Sequence, residues 1–115
     1  MENKMEKVNV VLNVGLVTKN LMPINKETAL KIIGLSTDCT VTECVGFYKG
    51  NREPSLKIEI YDTTLESGVE LAREFAREFN QWCVACTYKF KTVFVDAMAT
   101  EKERNELVKE LAKGE

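Results

Sequence analysis

The chain of 115 residues contains no histidine, and this absence removes several kinds of chemistry at once. Without an imidazole, neither a Ser–His nor a Cys–His nucleophile pair can form. Non-haem iron centres and most catalytic zinc sites are excluded for the same reason, because they rely on histidine ligands. Any catalysis must therefore rest on carboxylates, lysines, tyrosines or cysteines.

Long apolar runs and an excess of positive charge are also missing. No segment approaches the 18 consecutive apolar residues of a membrane span, and the charged start of the chain lacks the apolar stretch of a secretory signal. The net charge of −2 and the pI of about 5.3 argue against a nucleic-acid binder, which needs a basic face. We therefore expect a cytoplasmic protein with no membrane and no nucleic-acid partner.

The clearest pattern is a strand–helix–strand unit over residues 56–90. Leu56, Ile58 and Ile60 alternate with polar residues, which is the period of a half-buried strand. Thr63 with Glu66 fits a capping box for a helix over residues 64–80. The apolar stripe of this helix is formed by Leu65, Val69, Ala72, Phe75, Ala76 and Phe79.

The rest of the chain predicts a shorter version of this unit and a terminal helix. Strands are expected at residues 8–18, 40–49 and 83–95, the last with a bulge near Thr92 or an overhanging end. Asn25 is a plausible N-cap of a helix that Gly34 ends, and residues 50–54 read as a hairpin loop. Thr100 and Glu103 form a second capping box, which opens a helix to about residue 113.

This element order predicts an α+β fold of the ferredoxin-like type. Right-handed crossovers favour a split β-α-β sandwich, βαββαβ, with antiparallel strand order 4-1-3-2 and an extra C-terminal helix. A flexible N-terminus (residues 1–7), one domain (8–97) and the C-terminal helix (98–115) follow from this interpretation. Both main helices would cover one sheet face and leave the other, the open face, uncovered.

The four cysteines suggest redox or zinc chemistry, but their context favours a structural role. Trp82-Cys83-Val84-Ala85-Cys86 resembles the W-C-x-x-C motif of thioredoxin-like oxidoreductases, except that here the motif follows a helix and opens a strand. Residues three apart on a strand point to opposite faces, so these thiols should diverge. Cys39 and Cys44 likewise differ in parity, which disfavours a four-thiolate zinc site. We predict no metal and no cofactor.

The open face carries the candidate ligand-binding residues. Its mixture of amide, hydroxyl, phenol and amine groups suits a small polar or anionic ligand. The predicted set is Asn13, Thr42, Tyr48, Lys57, Tyr61 and Lys89. Glu43 shares the parity of apolar neighbours, so it is either a buried carboxylate with acid–base character or a rim residue of an edge strand.

One short motif resembles a known group of proteins. Asn51-Arg52-Glu53-Pro54-Ser55, followed by an alternating strand and a long amphipathic helix, is similar to small bacterial and phage α+β proteins of uncharacterised function. The resemblance spans about residues 10–95. It implies a compact α+β domain and a phage or mobile-element origin, and it assigns no catalytic residue.

Three functional hypotheses remain open on the sequence alone. The leading one is a non-catalytic binding protein, homo-oligomeric, that holds a small ligand or a host protein on the open face. The alternative is a small ferredoxin-like enzyme with an acid–base carboxylate in a cleft between subunits. A thiol or zinc protein is the third. An enclosed pocket with a suitable carboxylate would favour the enzyme.

Overall fold

The computed structural model of the chain describes residues 6–113, apart from the side chain of Tyr48. One antiparallel sheet of five strands is packed against helices. The strands are β1 (Val8–Gly15), β2 (Thr40–Tyr48), β3 (Asn51–Thr63), β4 (Cys83–Tyr88) and β5 (Lys91–Asp96). The helices are α1 (Lys26–Ser36), α2 (Leu65–Glu78) and α3 (Glu101–Ala112). None of the helices in this part of the chain is long and apolar enough to cross a bilayer.

The predicted α+β class is confirmed, but the ferredoxin-like order 4-1-3-2 is not. The observed order is β2-β3-β1-β4-β5. The single long strand expected over residues 83–95 is instead a hairpin, which turns at Lys89 and Phe90 and pairs Tyr88 with Lys91. Lys89 has a φ of 56°, a backbone conformation that turns the chain back. The shift in apolar parity therefore marks a reversal of the chain and not a bulge.

Strand β3 begins five residues earlier than the sequence pattern suggests. Its alternation is visible only from Leu56, yet Asn51 already pairs with Tyr48 and the ladder continues through Glu53 and Pro54. The Pro54 carbonyl accepts a hydrogen bond of 2.9 Å from the Leu16 amide. This extension carries Glu53 onto the sheet itself, where the sequence predicts a loop.

Helix α2 provides the main contact between the helices and the sheet. Thr64 is its N-cap, with its hydroxyl accepting the Ser67 amide at 3.0 Å, so the predicted capping box at Thr63 is placed one residue early. Phe75 and Phe79 are buried with ring centroids 5.8 Å apart. Gly68 lies so close to β1 that a Cβ atom there would stand 3.1 Å from Val10 Cγ2.

The two remaining helices begin at the N-caps that the sequence predicts. Helix α3 packs against α2 and β5 and buries Leu111, and its predicted capping box between Thr100 and Glu103 is present. Helix α1 has Asn25 as its N-cap and buries Ala29 and Ile33. Gly34 lies inside α1 and does not end it, because the helix continues to Ser36. Most of the predicted flexible N-terminus, residues 1–5, lies outside the described residues.

Candidate functional site

The uncovered sheet face contains a cavity of about 440 Å³ at one end. The open face consists of the residues opposite in parity to the buried ones, and Asn13 and Lys57 on it are exposed. Four separate segments meet at the cavity: the end of β1 with its following loop, β2, the start of β3, and the β4–β5 hairpin with residues 81 and 82. The lining residues that matter below are Asn13, Gly15, Lys19, Gly46, Phe47, Glu53, Ser55, Gln81, Trp82, Cys83 and Phe94.

Two glycines leave room for polar side chains on the floor of the cavity. A Cβ atom on Gly15 would stand 3.2 Å from Glu53 Oε2, and one on Gly46 would stand 2.9 Å from Ser55 Oγ. Both distances are shorter than ordinary van der Waals contact, so the two polar side chains occupy space that only glycine leaves free. The Glu53 carboxylate therefore lies across β1 beside Gly15, partly shielded from solvent.

Aromatic side chains form the walls of the cavity. Trp82 and Phe94 line it, and their exposed fractions are 65% and 66%. Phe47, 73% exposed, lies at the rim on β2, where it has the strand parity of the helix side. Single exposed apolar residues are common on protein surfaces, but the two open-face aromatic side chains of Trp82 and Phe94 at one concavity indicate a binding surface. Flat π systems of this kind suit a planar base or a cation.

The backbone around Trp82 is fixed from both sides. The Gln81 amide donates a hydrogen bond of 2.8 Å to the Ala76 carbonyl at the end of α2, and the Trp82 carbonyl accepts one of 3.1 Å from the Ala97 amide. The buried Gln81 side chain donates through Nε2 to the carbonyl oxygens of Gly15 and Val17. These bonds connect the Trp82 segment to the end of β1, where the cavity floor begins.

Charge at the cavity is sparse and of both signs. Among its described lining residues, Glu53 is the only carboxylate and Lys19 the only cation. The Cys83 thiol also lines the cavity, but burial and the nearby Asp96 raise its pKa. Burial raises the pKa of Cys86, on the opposite face, to about 12. Both thiols stay protonated near neutral pH, which disfavours the thiol hypothesis.

The predicted ligand-binding residues do not lie together at one place on the sheet. Asn13, Lys57 and Thr42 lie side by side on β1, β3 and β2, and of these Asn13 lines the cavity. Tyr61 donates a weak hydrogen bond of 3.4 Å to Glu59 and lies farther along β3, away from the cavity. Lys89 is in the β4–β5 turn, at the opposite end of β4 from Cys83. The Tyr48 side chain lies outside the described part of the structure.

The sequence analysis does not identify three of the residues that line the cavity. Glu53 falls in the predicted hairpin loop, Trp82 in the cysteine motif, and Phe94 on a strand whose parity shifts. The signal that could identify Phe94 is the alternation that resumes after residue 90, if it is interpreted as a second strand. No local signal marks Glu53, because its position depends on pairing with β2 and β1.

Glu43, the carboxylate favoured by the sequence, is not a candidate acid or base. It lies on the edge strand β2, and its exposed side chain accepts a hydrogen bond of 3.0 Å from Lys26 Nζ. This hydrogen bond and the charge of Glu43 raise the pKa of Lys26. Glu43 is therefore a rim residue in a surface ion pair.

A second cavity, of about 520 Å³, lies on the helix side between α2, α3 and the end of α1. Its charged lining residues are Glu66, Glu70, Glu74, Glu101 and Arg104. Glu70 accepts a hydrogen bond from Arg73 and forms an ion pair with Arg104 Nε at 2.8 Å. The Arg73 guanidinium holds the pKa of Glu70 below its usual range. Its described lining is mainly acidic and contains no aromatic ring, so the open-face cavity is the better candidate for a small planar ligand.

Comparison with known proteins shows what this fold is similar to. No protein-family model matches the chain, and no curated protein matches it in sequence. Two solved structures do match it in fold. A phage SAM lyase in complex with S-methyl-5′-thioadenosine is similar with a TM-score of 0.62 and 18% identity, over 83% of this chain and 93% of that one. A phage SAM lyase in its apo state is similar with a TM-score of 0.60 and 20% identity, over 88% and 98%.

This similarity corrects the leading functional hypothesis. The sequence favours a non-catalytic binding protein, whereas both neighbours are structures of an enzyme, one of them with a bound small molecule. The similarity favours the alternative of a small enzyme. The predicted phage connection agrees with the phage source of both neighbours.

Proposed function

We propose that the chain is a small lyase that binds SAM in the open-face cavity and cleaves one carbon–sulfur bond of it. The observation that carries the proposal is the cavity itself, with the aromatic side chains of Trp82 and Phe94 at its wall and the Glu53 carboxylate on its floor. The fold shared with a phage SAM lyase supports the same reaction class. The proposed scaffold is a ferredoxin-like core to which β5 adds an edge strand, and the proposed place of action is the cytoplasm.

The chemistry of SAM fits the residues at this cavity. SAM combines a planar adenine, a ribose with two hydroxyl groups and a sulfonium cation. Adenine stacks on aromatic rings, and a sulfonium is attracted to the negative face of such a ring. Trp82 and Phe94 supply these surfaces, and Asn13 and Ser55 supply hydrogen-bonding groups on the floor.

In the proposed step, Glu53 acts as the base. It takes a proton from the carbon next to the one that leaves sulfur, and the electrons of that C–H bond form a carbon–carbon double bond. The electron pair of the broken carbon–sulfur bond goes to sulfur, which becomes the neutral thioether of S-methyl-5′-thioadenosine. No water and no redox partner is consumed. A positioned carboxylate base typically accelerates such a step by about 10²–10⁴-fold.

The direct test is incubation of the purified protein with SAM, followed by chromatography and mass spectrometry of both products. We expect S-methyl-5′-thioadenosine together with the unsaturated amino-acid fragment, at a rate proportional to protein concentration. Because SAM also decomposes without protein to the same thioether, the rate must be compared with a protein-free blank. Trp82→Ala should weaken binding of S-methyl-5′-thioadenosine, measured by titration calorimetry.

Phe90→Ala is the matched control, because Phe90 is fully exposed in the β4–β5 turn, away from the cavity. This variant should bind and cleave like the parent protein. A parent protein that neither binds the thioether nor exceeds the blank rate would refute the proposed function.

We further propose that the cavity is completed by a second copy of the chain. Leu21, Phe47, Trp82 and Phe94 around its mouth are all largely exposed, and such a cluster is typical of an interface. We expect light scattering after size exclusion to give a mass that is a multiple of 13.0 kDa. Phe47→Asp should shift this mass toward the monomer, whereas Phe90→Asp should not. A monomeric parent protein at micromolar concentration would contradict the proposal.

A further inference from the structure

Lys19 occupies a defined position at the mouth of the open-face cavity. Its Nζ atom lies over the Trp82 ring, 4.8 Å from the ring centroid. Its backbone amide donates a hydrogen bond of 2.8 Å to the Asn80 carbonyl, which joins the loop after β1 to the end of α2. This backbone hydrogen bond keeps the lysine next to the segment that carries the indole.

The loop that carries Lys19 is itself well ordered by local bonds. The Thr18 hydroxyl accepts the amides of Asn20 and Met22 at 3.2 and 3.1 Å, and the Thr18 amide donates to the Met22 carbonyl at 2.8 Å. Leu21 adopts a φ of 65°, which closes the turn. A loop with this many internal bonds presents Lys19 from a fixed base, while the side chain itself can still rotate toward a ligand.

The charge of Lys19 has no counterion in the described part of the chain. No carboxylate there lies within 4.0 Å of its Nζ atom, and its contact is the neutral face of Trp82. A cation on an aromatic ring is held only weakly at an exposed site. An incoming carboxylate offers a stronger, charge-assisted hydrogen bond.

We infer that Lys19 recognises the carboxylate of the amino-acid portion of SAM and makes the site select the substrate over its product; this rests on the proposed function. SAM carries that carboxylate, whereas S-methyl-5′-thioadenosine lacks the whole amino-acid portion. Binding to Lys19 is therefore available to the substrate and lost once the carbon–sulfur bond breaks. Lys19 also makes the site discriminate against decarboxylated SAM, which keeps the sulfonium and the amine but lacks the carboxylate.

The test compares three ligands on two variants by titration calorimetry, with competition where turnover interferes. Lys19→Met keeps an unbranched apolar side chain but removes the charge. We expect it to raise the Kd for SAM by about 10- to 100-fold, the value of a charge-assisted hydrogen bond, and to change the Kd for S-methyl-5′-thioadenosine and decarboxylated SAM by less than about 2-fold. Lys19→Arg should restore most of the preference, and added salt should weaken SAM binding more than thioether binding.

Lys102→Met on the exposed side of α3 is the matched control and should leave all three affinities unchanged. Equal losses for all three ligands in Lys19→Met would show that Lys19 only supports Trp82, and no loss would show that it does not touch the ligand; either result overturns the inference. A parent protein that binds none of the three ligands would instead refute the proposed function, and the inference with it.

Discussion

Replacing Glu53 by glutamine is expected to lower kcat for SAM cleavage by about 100-fold or more. Glutamine keeps the shape of the side chain and one acceptor oxygen but cannot take up a proton. The Kd for S-methyl-5′-thioadenosine should change by less than about 10-fold, because the aromatic walls that hold it are untouched. The measurement is the steady-state rate of thioether formation, with product binding by calorimetry alongside.

Glu59→Gln is the matched control for this variant. Glu59 lies on the same strand and the same sheet face, six residues further on and therefore roughly 20 Å away. The rate of SAM cleavage by the Glu59→Gln variant should stay within about 2-fold of the parent rate. If Glu53→Gln and Glu59→Gln were equally active, the base would have to be sought elsewhere. If rate and product affinity fell together in Glu53→Gln, Glu53 would be a binding group.

Gly15→Ala tests the same carboxylate without changing it. The new Cβ atom would stand 3.2 Å from Glu53 Oε2, so the carboxylate must shift by a few tenths of an ångström. We expect a clear loss of kcat with little change in the denaturation midpoint. An alanine variant with full activity would show that the position of the Glu53 carboxylate beside Gly15 has no part in the reaction.

The second large effect is expected on stability. Phe79→Ala should lower the free energy of unfolding by about 3–5 kcal/mol, as other buried aromatic truncations do. Phe75→Ala should cost a similar amount, since both rings are at most 4% exposed and contact each other. Urea denaturation followed by circular dichroism measures both changes, provided that unfolding is two-state.

Phe90→Ala again serves as the control, because a fully exposed ring contributes little to folding. Its change in unfolding free energy should stay below about 0.5 kcal/mol. The double variant Phe75→Ala, Phe79→Ala should cost less than the sum of the two single changes, because their ring contact is lost only once. A loss below about 1 kcal/mol in Phe79→Ala would contradict the assignment of the helix stripe to the core.

What the sequence determined by itself is the set of features that depend on neighbours along the chain. The stripe of α2, the alternation from Leu56 to Ile60 and the capping box of Thr100 and Glu103 are all predicted correctly. Each arises from contacts within a few residues, so its signal is written at fixed spacings. The absence of histidine likewise limits the available chemistry, whatever fold the chain adopts.

Only the tertiary structure decided where the candidate site lies. The cavity joins residues of β1, β2, β3 and the β4–β5 hairpin, and Gly15 and Glu53 meet there although 38 positions separate them in the chain (53 minus 15). Strand pairing set this register, and a shift of one residue would have turned Glu53 to the other face. The predicted binding residues were chosen by sheet face alone, which cannot indicate the end of the sheet at which loops and aromatic side chains form a cavity.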